Sequence, residues 1–251
     1  EVKQMTKKSQ TKYWNMSAKN NVGTIYIYGD IVGDKWFDEE TSANSFKDEL
    51  NELGDVSTID LHINSGGGSV FEGFAIYNML KQHKAKVDVQ VDGIAASIAS
   101  VIAMAGDTIS MPKNSYLMIH NASGMAFGTA DEMKKQAEIL EGLSGTIAQV
   151  YVDRSNETID IDKVKELMSA ETWLTAAEAQ DLGLVDEIVD DLQAVAKIDT
   201  TFLDKAPERV KELISNNTET TEAIDEANIE KEREYAQMTA QRANNILEEI
   251  Y

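Results

Sequence analysis

Short stretches of alternating apolar and polar residues, each followed by residues at helical spacing, cover most of the first 190 positions. Ile59, Leu61 and Ile63 alternate with polar residues, which predicts a strand with one buried face. The same alternation predicts further strands over residues 24–32, 86–93 and 107–111, and the apolar stretch at 115–120 is predicted as another strand. Helical spacing predicts helices over residues 38–53, 70–83, 129–153 and on both sides of 169–174. Strands that alternate with helices in this way favour an α/β layered fold.

The composition and hydrophobic pattern of the chain predict three regions. Residues 1–22 are polar and are predicted to form a flexible N-terminal arm. Residues 23–198 carry the alternating strands and helices and are predicted to form the folded domain. Residues 199–251 have more acidic than basic residues and only a sparse apolar stripe, so we expect an acidic helical or partly disordered extension.

Charge and cysteine content exclude several functions. The 251 residues include 44 acidic and 23 basic residues, for a net charge of -21. Such a surface argues against nucleic acid and against anionic membrane surfaces as partners. No cysteine is present, which excludes thiol catalysis, disulfides and cysteine-based zinc sites. No apolar run reaches the roughly 18 residues of a membrane span, so a membrane location is not expected.

Two strand–turn–helix units carry candidate chemistry. The glycines after the strand at Ile63, in INSGGGSV, fit a tight turn, a phosphate cradle or an oxyanion hole, and their spacing matches neither common nucleotide motif. Ser97 follows a second strand, with Gly93 predicted as the turn, and lies near the first turn of an apolar helix. There it is either a helix cap or packing residue, or an exposed nucleophile beside free backbone N–H groups.

His120 and Glu171 are weak signals when each is taken alone. His120 ends an apolar strand, where a histidine is more often structural than catalytic. Glu171 comes just before Trp173 and is most simply a surface carboxylate. Thr175 and Glu178 have the spacing of a capping box, which predicts a helix start after Thr175.

Four ordered motifs taken together match a known family. They are INSGGGSVFEGFAIYNML, GIAASIASVIAMAG, LMIHNASGMAFGTADEM and ETWLTAAEAQDLGLVDEIV. They resemble the Clp protease proteolytic subunit (ClpP) family over about residues 24–190, and look most like the ClpP-related head maturation proteases of tailed bacteriophages. The resemblance implies the ClpP/crotonase-like fold of stacked strand-strand-helix units with a protruding handle helix after Gly128. It also implies a serine-type endopeptidase.

The resemblance assigns roles to individual residues. Ser97 matches the nucleophile and His120 the general base. Glu171 occupies the position of the third triad member, where the family normally has an aspartate. Glutamate can also orient an imidazole, although its extra methylene requires its backbone to lie further away.

Backbone groups complete the implied site. The oxyanion donors would be the N–H groups of Gly67 and Ile98, and Gly68 would shape the same loop as a substrate-binding residue. The resemblance implies no metal and no other cofactor.

The resemblance also implies partners and a location. Handle helices of this kind pack subunits together, so a ring-like homo-oligomer is expected. The expected substrates are proteins, most directly capsid or scaffold proteins inside an assembling phage head in the bacterial host cytoplasm. The N-terminal arm does not match the segment by which the housekeeping enzyme engages its ATPase, so an obligate ATPase partner is not expected.

Four other functions are alternatives to a head maturation protease. A crotonase-like enzyme on acyl-CoA would not need both Ser97 and His120. A Ser–Lys peptidase would need Lys113 or Lys134 beside the nucleophile, and neither has a matching sequence context. The chain could also be a catalytically silent ClpP-like scaffolding or assembly protein, or a housekeeping ATP-dependent Clp proteolytic subunit.

Overall fold

The fold combines strands and helices around one sheet, as the alternating pattern predicts. The computed structural model describes residues 13–32 and 43–190, and the structural statements below concern these residues. The strands are β1 (Trp14–Lys19), β2 (Val22–Tyr28), β3 (Thr58–Ser65), β4 (Lys86–Ala96), β5 (Thr108–Pro112), β6 (Tyr116–Ile119), β7 (Thr172–Thr175) and β8 (Glu187–Val189). The helices are α1 (Ala43–Glu52), α2 (Val70–Gln82), α3 (Ile98–Ala103), α4 (Ala130–Arg154), α5 (Ile161–Ser169) and α6 (Ala176–Asp181).

The sheet is mainly parallel and branches at its longest strand. Its main order is β1-β2-β3-β4-β5-β8, in which only β1 runs antiparallel to its neighbour. The first half of β4 pairs with β5, whereas its last residues, 94–96, pair with β6. β6 then pairs with the antiparallel strand β7. The end of β4 therefore lies between β3 and β6.

The core lies against the apolar face of this sheet. Ile59, Leu61 and Ile63 of β3 are fully buried, which confirms the alternation read from the sequence. All six residues of α3 are buried, which explains why the helix has almost no polar side chain. α4 differs, because residues 130–139 are exposed and only its second half contacts the core. This is the protruding helix that the family resemblance implies.

Two boundaries differ from the sequence prediction. The polar arm was expected to include residues 1–22, but residues 14–19 form β1 and pair with β2, with Trp14 buried against the core. Pairing with a neighbouring strand outweighs the polar composition here. Gly93 was expected to be a turn, but β4 continues through it to Ala96. Residues 1–12 and the predicted extension at 199–251 lie outside the described residues.

No helix in the part of the chain that the structure describes is long and apolar enough to span a membrane.

A hydrogen-bonded cluster lies on the polar face of the sheet. His62 Nδ1 is 3.0 Å from Asp92 Oδ2, and Gln90 Nε2 donates to Asp92 Oδ1 at 2.6 Å. The Tyr28 hydroxyl also donates to Asp92. The His62 ring stacks on Tyr26, with ring centroids 4.8 Å apart. The cluster joins three strands, β2, β3 and β4, through a carboxylate that is largely buried.

The His62–Asp92 pair predicts how stability depends on pH. The hydrogen bond to Asp92 raises the pKa of His62 and outweighs the opposing effect of burial. A raised pKa means that the stabilisation is complete below the unfolded pKa of about 6.5 and is lost as pH rises through the folded pKa. We expect His62→Gln to cost on the order of 1 kcal/mol near pH 6 and less at higher pH. Chemical denaturation at fixed protein concentration measures this difference.

The pKa of Asp92 determines how stability changes at low pH, and a second histidine variant serves as the control. Burial favours the protonated Asp92 carboxyl, but hydrogen bonds from His62, Tyr28 and Gln90 outweigh it and hold the pKa low. This contribution is present above the unfolded pKa of about 3.9 and is lost as pH falls through the folded pKa. His83→Gln is the control, because burial lowers the pKa of His83 and gives the opposite slope. A wild-type minus His62→Gln difference that is flat with pH would contradict the pairing.

Candidate active site

Three parallel strands end at the same edge of the sheet and bring the predicted site residues together. Ser65 of β3 pairs with Ala95 of β4, and Ala96 of β4 pairs with Met118 of β6. The carboxyl ends of parallel strands meet at one edge, which is where open α/β sheets place their sites. The glycine loop follows β3, Ser97 follows β4 and His120 follows β6 shortly after. Segments far apart in sequence are thereby joined at one place.

Ser97 occupies a strained turn between β4 and α3. Its φ is +54° and its ψ is -128°, a conformation that non-glycine residues rarely adopt. Its N–H donates to Met118 O at 2.9 Å, which ties the turn to β6. Although Ser97 is the N-cap residue of α3, its side chain makes no capping hydrogen bond. The cap interpretation therefore does not account for this serine, and its hydroxyl is available for chemistry.

His120 contacts the hydroxyl of Ser97. The distance from His120 Nε2 to Ser97 Oγ is 2.7 Å, well within hydrogen-bond range. The imidazole is half-buried. A serine hydroxyl at this distance from an imidazole nitrogen is the arrangement in which histidine accepts the proton of an attacking serine.

Glu171 comes directly before β7, and His120 comes directly after β6, the strand that pairs with β7. The two strands are antiparallel, and their last pair at this end is Ile119 with Thr172. One more step in the same register places His120 opposite Glu171. The chain reverses at Glu171, whose φ is +52° and whose N–H donates to Met168 O at 3.1 Å. The backbone of Glu171 thus lies at the same end of the β6–β7 pair as the backbone of His120.

The glycine loop approaches Ser97 more closely than any side chain would allow. A Cβ atom on Gly67, whose φ is +102°, would lie 2.7 Å from Ser97 Cβ and 2.8 Å from Ala96 O. The Gly67 N–H, expected to be an oxyanion donor, instead donates to Ser65 Oγ at 3.1 Å. The oxyanion role of Gly67 therefore stays a prediction, and in this structure a neighbouring side chain already accepts its hydrogen.

Gly68 is a second candidate for the backbone donor of this loop. Gly67 O and Ser69 N–H bond to the backbone of Ile31, at 2.8 and 2.7 Å. Gly68, between them, has its φ at +141° and lines the site. Ile98 is the first residue of α3, a position whose N–H has no acceptor within the helix. Sequence reasoning grouped Gly68 with the oxyanion-hole and substrate-binding residues but named the N–H of Gly67 as the donor. The signal in the sequence that favours Gly68 over Gly67 is Ser65, because a serine side chain can accept the N–H two residues later and so occupy that of Gly67.

A small cavity beside Ser97 joins these groups. Its volume is about 40 Å³. The lining residues are Gly68, Val70, Ser97, Ile98, His120, Ala122, Ser123 and Ile147. The residues of both candidate N–H donors, Gly68 and Ile98, therefore line one space with Ser97 and His120, next to an apolar wall.

The two lysines of the Ser–Lys alternative have other partners. Lys113 Nζ lies 3.5 Å from Asp190 Oδ1, and Lys134 Nζ lies 3.5 Å from Asp131 Oδ1. Both ion pairs are on the surface. The group beside Ser97 Oγ is His120, so the geometry supports the Ser–His arrangement.

Comparison with known proteins points the same way. The model of the Clp protease family matches residues 20–192, which is more than half of the chain. The chain is 32% identical to the ATP-dependent Clp protease proteolytic subunit of Bacteroides thetaiotaomicron over 156 residues, which is 60% of the chain and 70% of that protein.

Two other relatives have the same kind of name. Identity is 30% over 145 residues to the ATP-dependent Clp protease proteolytic subunit 1 of Salinibacter ruber, covering 57% of the chain and 61% of the relative. Identity is 38% over 134 residues to the ATP-dependent Clp protease proteolytic subunit of Ligilactobacillus salivarius, covering 52% and 66%. Residues 193–251 lie beyond the family match.

Proposed function

The chain belongs to the Clp protease family of peptidases, and we propose that it is a serine endopeptidase with Ser97, His120 and Glu171 as its triad. The observation that carries the proposal is the 2.7 Å contact between Ser97 Oγ and His120 Nε2 at the strained turn. Neither an acyl-CoA enzyme that works only through backbone donors nor a Ser–Lys peptidase requires this contact.

The proposed reaction is acyl transfer in two stages. Ser97 Oγ attacks the carbonyl carbon of a peptide bond while His120 Nε2 accepts its proton. The N–H groups of Gly68 and Ile98 stabilise the oxyanion, and His120 then protonates the leaving amine. Water, deprotonated by His120, hydrolyses the acyl-enzyme and restores Ser97. Glu171 holds the imidazole in its productive tautomer and stabilises the imidazolium that forms.

The loop and the cavity restrict how a substrate binds. Ile31 already occupies Gly67 O and Ser69 N–H, so an extended peptide can pair only with the side of the loop that Gly68 presents. Val70, Ala122 and Ile147 give the cavity an apolar wall. Its volume of about 40 Å³ is little more than the roughly 30 Å³ that one water molecule occupies in the liquid. We therefore propose a small apolar substrate side chain at this position.

Exposed apolar residues support a homo-oligomer. Met125 and Phe127, just before α4, are each 90% exposed, and Met133 and Ile139 of α4 are about half exposed. A group of exposed large apolar residues of this kind is typical of an interaction surface. We propose that α4 of a second copy covers it in a ring-like assembly.

We propose a biological role in phage head maturation, with capsid or scaffold proteins as substrates in the cytoplasm of the bacterial host or within the prohead. The motif resemblance supports this role, as do the residues beyond the family match, which leave room for a function of their own. An obligate ATPase partner is not part of the proposal, although the named relatives are ATP-dependent. Cleavage of a co-expressed capsid or scaffold protein, lost in Ser97→Ala, would separate this role from general protein turnover.

A fluorophosphonate tests the proposed chemistry directly. Such a probe phosphonylates a serine only when that serine is activated. We expect the intact mass of the wild type to increase by one adduct per chain, and peptide mapping to place the adduct on Ser97. Ser97→Ala and His120→Ala should remain unmodified. An unmodified wild type in its assembled form would favour the alternative, a catalytically silent scaffolding protein.

A further inference from the structure

A buried hydrogen-bonded chain runs from α4 to the carbonyl of Ser97. Ser100 Oγ lies 2.7 Å from the Tyr151 hydroxyl, and Ser100 Oγ also donates to Ser97 O. The exposed fractions of Ser100 and Tyr151 are 0% and 1%. The two residues are 51 positions apart and belong to different helices. Neither side chain has a part in the acyl-transfer steps above.

The number of hydrogens on the two hydroxyls determines which group donates in each hydrogen bond. A serine hydroxyl has a single hydrogen, and Ser100 donates it to Ser97 O. In the contact between the two hydroxyls, Tyr151 is therefore the donor and Ser100 Oγ the acceptor. Burial raises the pKa of Tyr151, so the phenol keeps its proton. The order is Tyr151 O–H to Ser100 Oγ, then Ser100 O–H to Ser97 O.

A serine that bonds back to the preceding turn of a helix is ordinary. Two features go beyond this. The Ser97 carbonyl also accepts the Ser100 N–H at 3.0 Å, so Ser100 supplies two donors to one oxygen. The hydrogen-bonded chain also begins on a separate element, because Tyr151 belongs to α4 and Ser100 to α3. Linked hydrogen bonds polarise and strengthen one another in a buried setting.

The carbonyl held in this way shares a peptide plane with the Ile98 N–H. A trans peptide is planar, so the C=O of Ser97 and the N–H of Ile98 point in opposite directions. Fixing the carbonyl on the Ser100 side therefore fixes the N–H on the side of the cavity, where the oxyanion would form. Bonds to the carbonyl also polarise the peptide and make its N–H a better donor.

We propose that Ser100 and Tyr151 are positioning residues that orient the Ile98 N–H toward the oxyanion and hold the strained turn at Ser97. The proposal rests on the proposed function. It extends that function to two side chains that touch neither substrate nor reacting atoms.

The test separates transition-state effects from binding. Losing one oxyanion donor entirely costs on the order of 10²–10³ in rate, so a weakened orientation should cost less. We expect Tyr151→Phe and Ser100→Ala to lower kcat roughly tenfold on a fluorogenic peptide, with KM unchanged, because the N–H acts mainly in the transition state. Affinity for a peptide aldehyde, whose adduct carries the oxyanion, should fall by a similar factor. The double variant should behave like Ser100→Ala alone, because Tyr151 acts through Ser100.

A control variant and two distinct negative results distinguish failure of this inference from failure of the proposed function. Tyr77→Phe removes a half-buried hydroxyl from α2 and should leave kcat unchanged. Tyr151→Phe is almost isosteric, and a circular dichroism spectrum like that of the wild type shows that it is folded. An active wild type with unchanged kcat and aldehyde affinity in both Tyr151→Phe and Ser100→Ala overturns the inference alone. A wild type with neither turnover nor adduct overturns the proposed function and the inference with it.

Discussion

Replacing Ser97 or His120 by alanine is expected to reduce kcat by a factor on the order of 10⁶. Ser97 Oγ and His120 Nε2 are 2.7 Å apart. In the proposed mechanism they act as one unit, because the hydroxyl is a weak nucleophile until the imidazole takes its proton. Removing either residue therefore removes the same pathway. The double variant should be no slower than either single variant, with only the rate from binding and the oxyanion donors remaining.

Steady-state hydrolysis of a fluorogenic peptide measures these losses. Ser17→Ala is the control, because Ser17 is an exposed serine on β1 and its loss should leave kcat unchanged. Unfolding midpoints should remain near that of the wild type, since the side chains of Ser97 and His120 are only partly buried. Additive losses in the double variant, or a residual kcat within about tenfold of the wild type, would show that the two residues do not act together.

Much of the fold could be predicted because the periodicity of the core strands is strong. Ile59, Leu61 and Ile63 alternate without a break, and all three are fully buried in β3. β1 was missed although its sequence, WNMSAK, alternates apolar and polar residues, because it is short and lies in an otherwise polar segment. Its stability depends on antiparallel pairing with β2, which is a tertiary property. The extension of β4 past Gly93 was missed for the same reason, because pairing with β6 fixes residues 94–96.

The candidate site was predictable to the level of residues but not of individual atoms. Ordered motifs indicated Ser97 and His120, and the parallel strands β4 and β6 bring them together. The choice between the N–H groups of Gly67 and Gly68 depends on the direction of the Ser65 hydroxyl, which no motif encodes. The contact between Ser100 and Tyr151 depends on how α4 packs against α3.

Glu171, the proposed third triad member, is the least constrained by sequence, and its replacement is the second large effect we expect. Glu171→Gln should lower kcat by about 10³–10⁴ with little change in KM, by analogy with removing the charge of a triad carboxylate. The amide has nearly the same shape but cannot stabilise the imidazolium and can hold the wrong tautomer. Glu171→Asp keeps the charge, so it should lose less activity than Glu171→Gln despite its shorter reach.

Glu178→Gln is the matched control for this substitution. Glu178 is a carboxylate seven positions later in the chain, and it forms the capping box with Thr175 at the start of α6. Glutamine can also complete a capping box, so stability and kcat should both stay close to the wild type. If Glu171→Gln keeps kcat within about threefold of the wild type, a loss far below that of a triad carboxylate, Glu171 does not orient His120. The β6–β7 register would then align two backbones without coupling their side chains, and a different group would have to hold the imidazole.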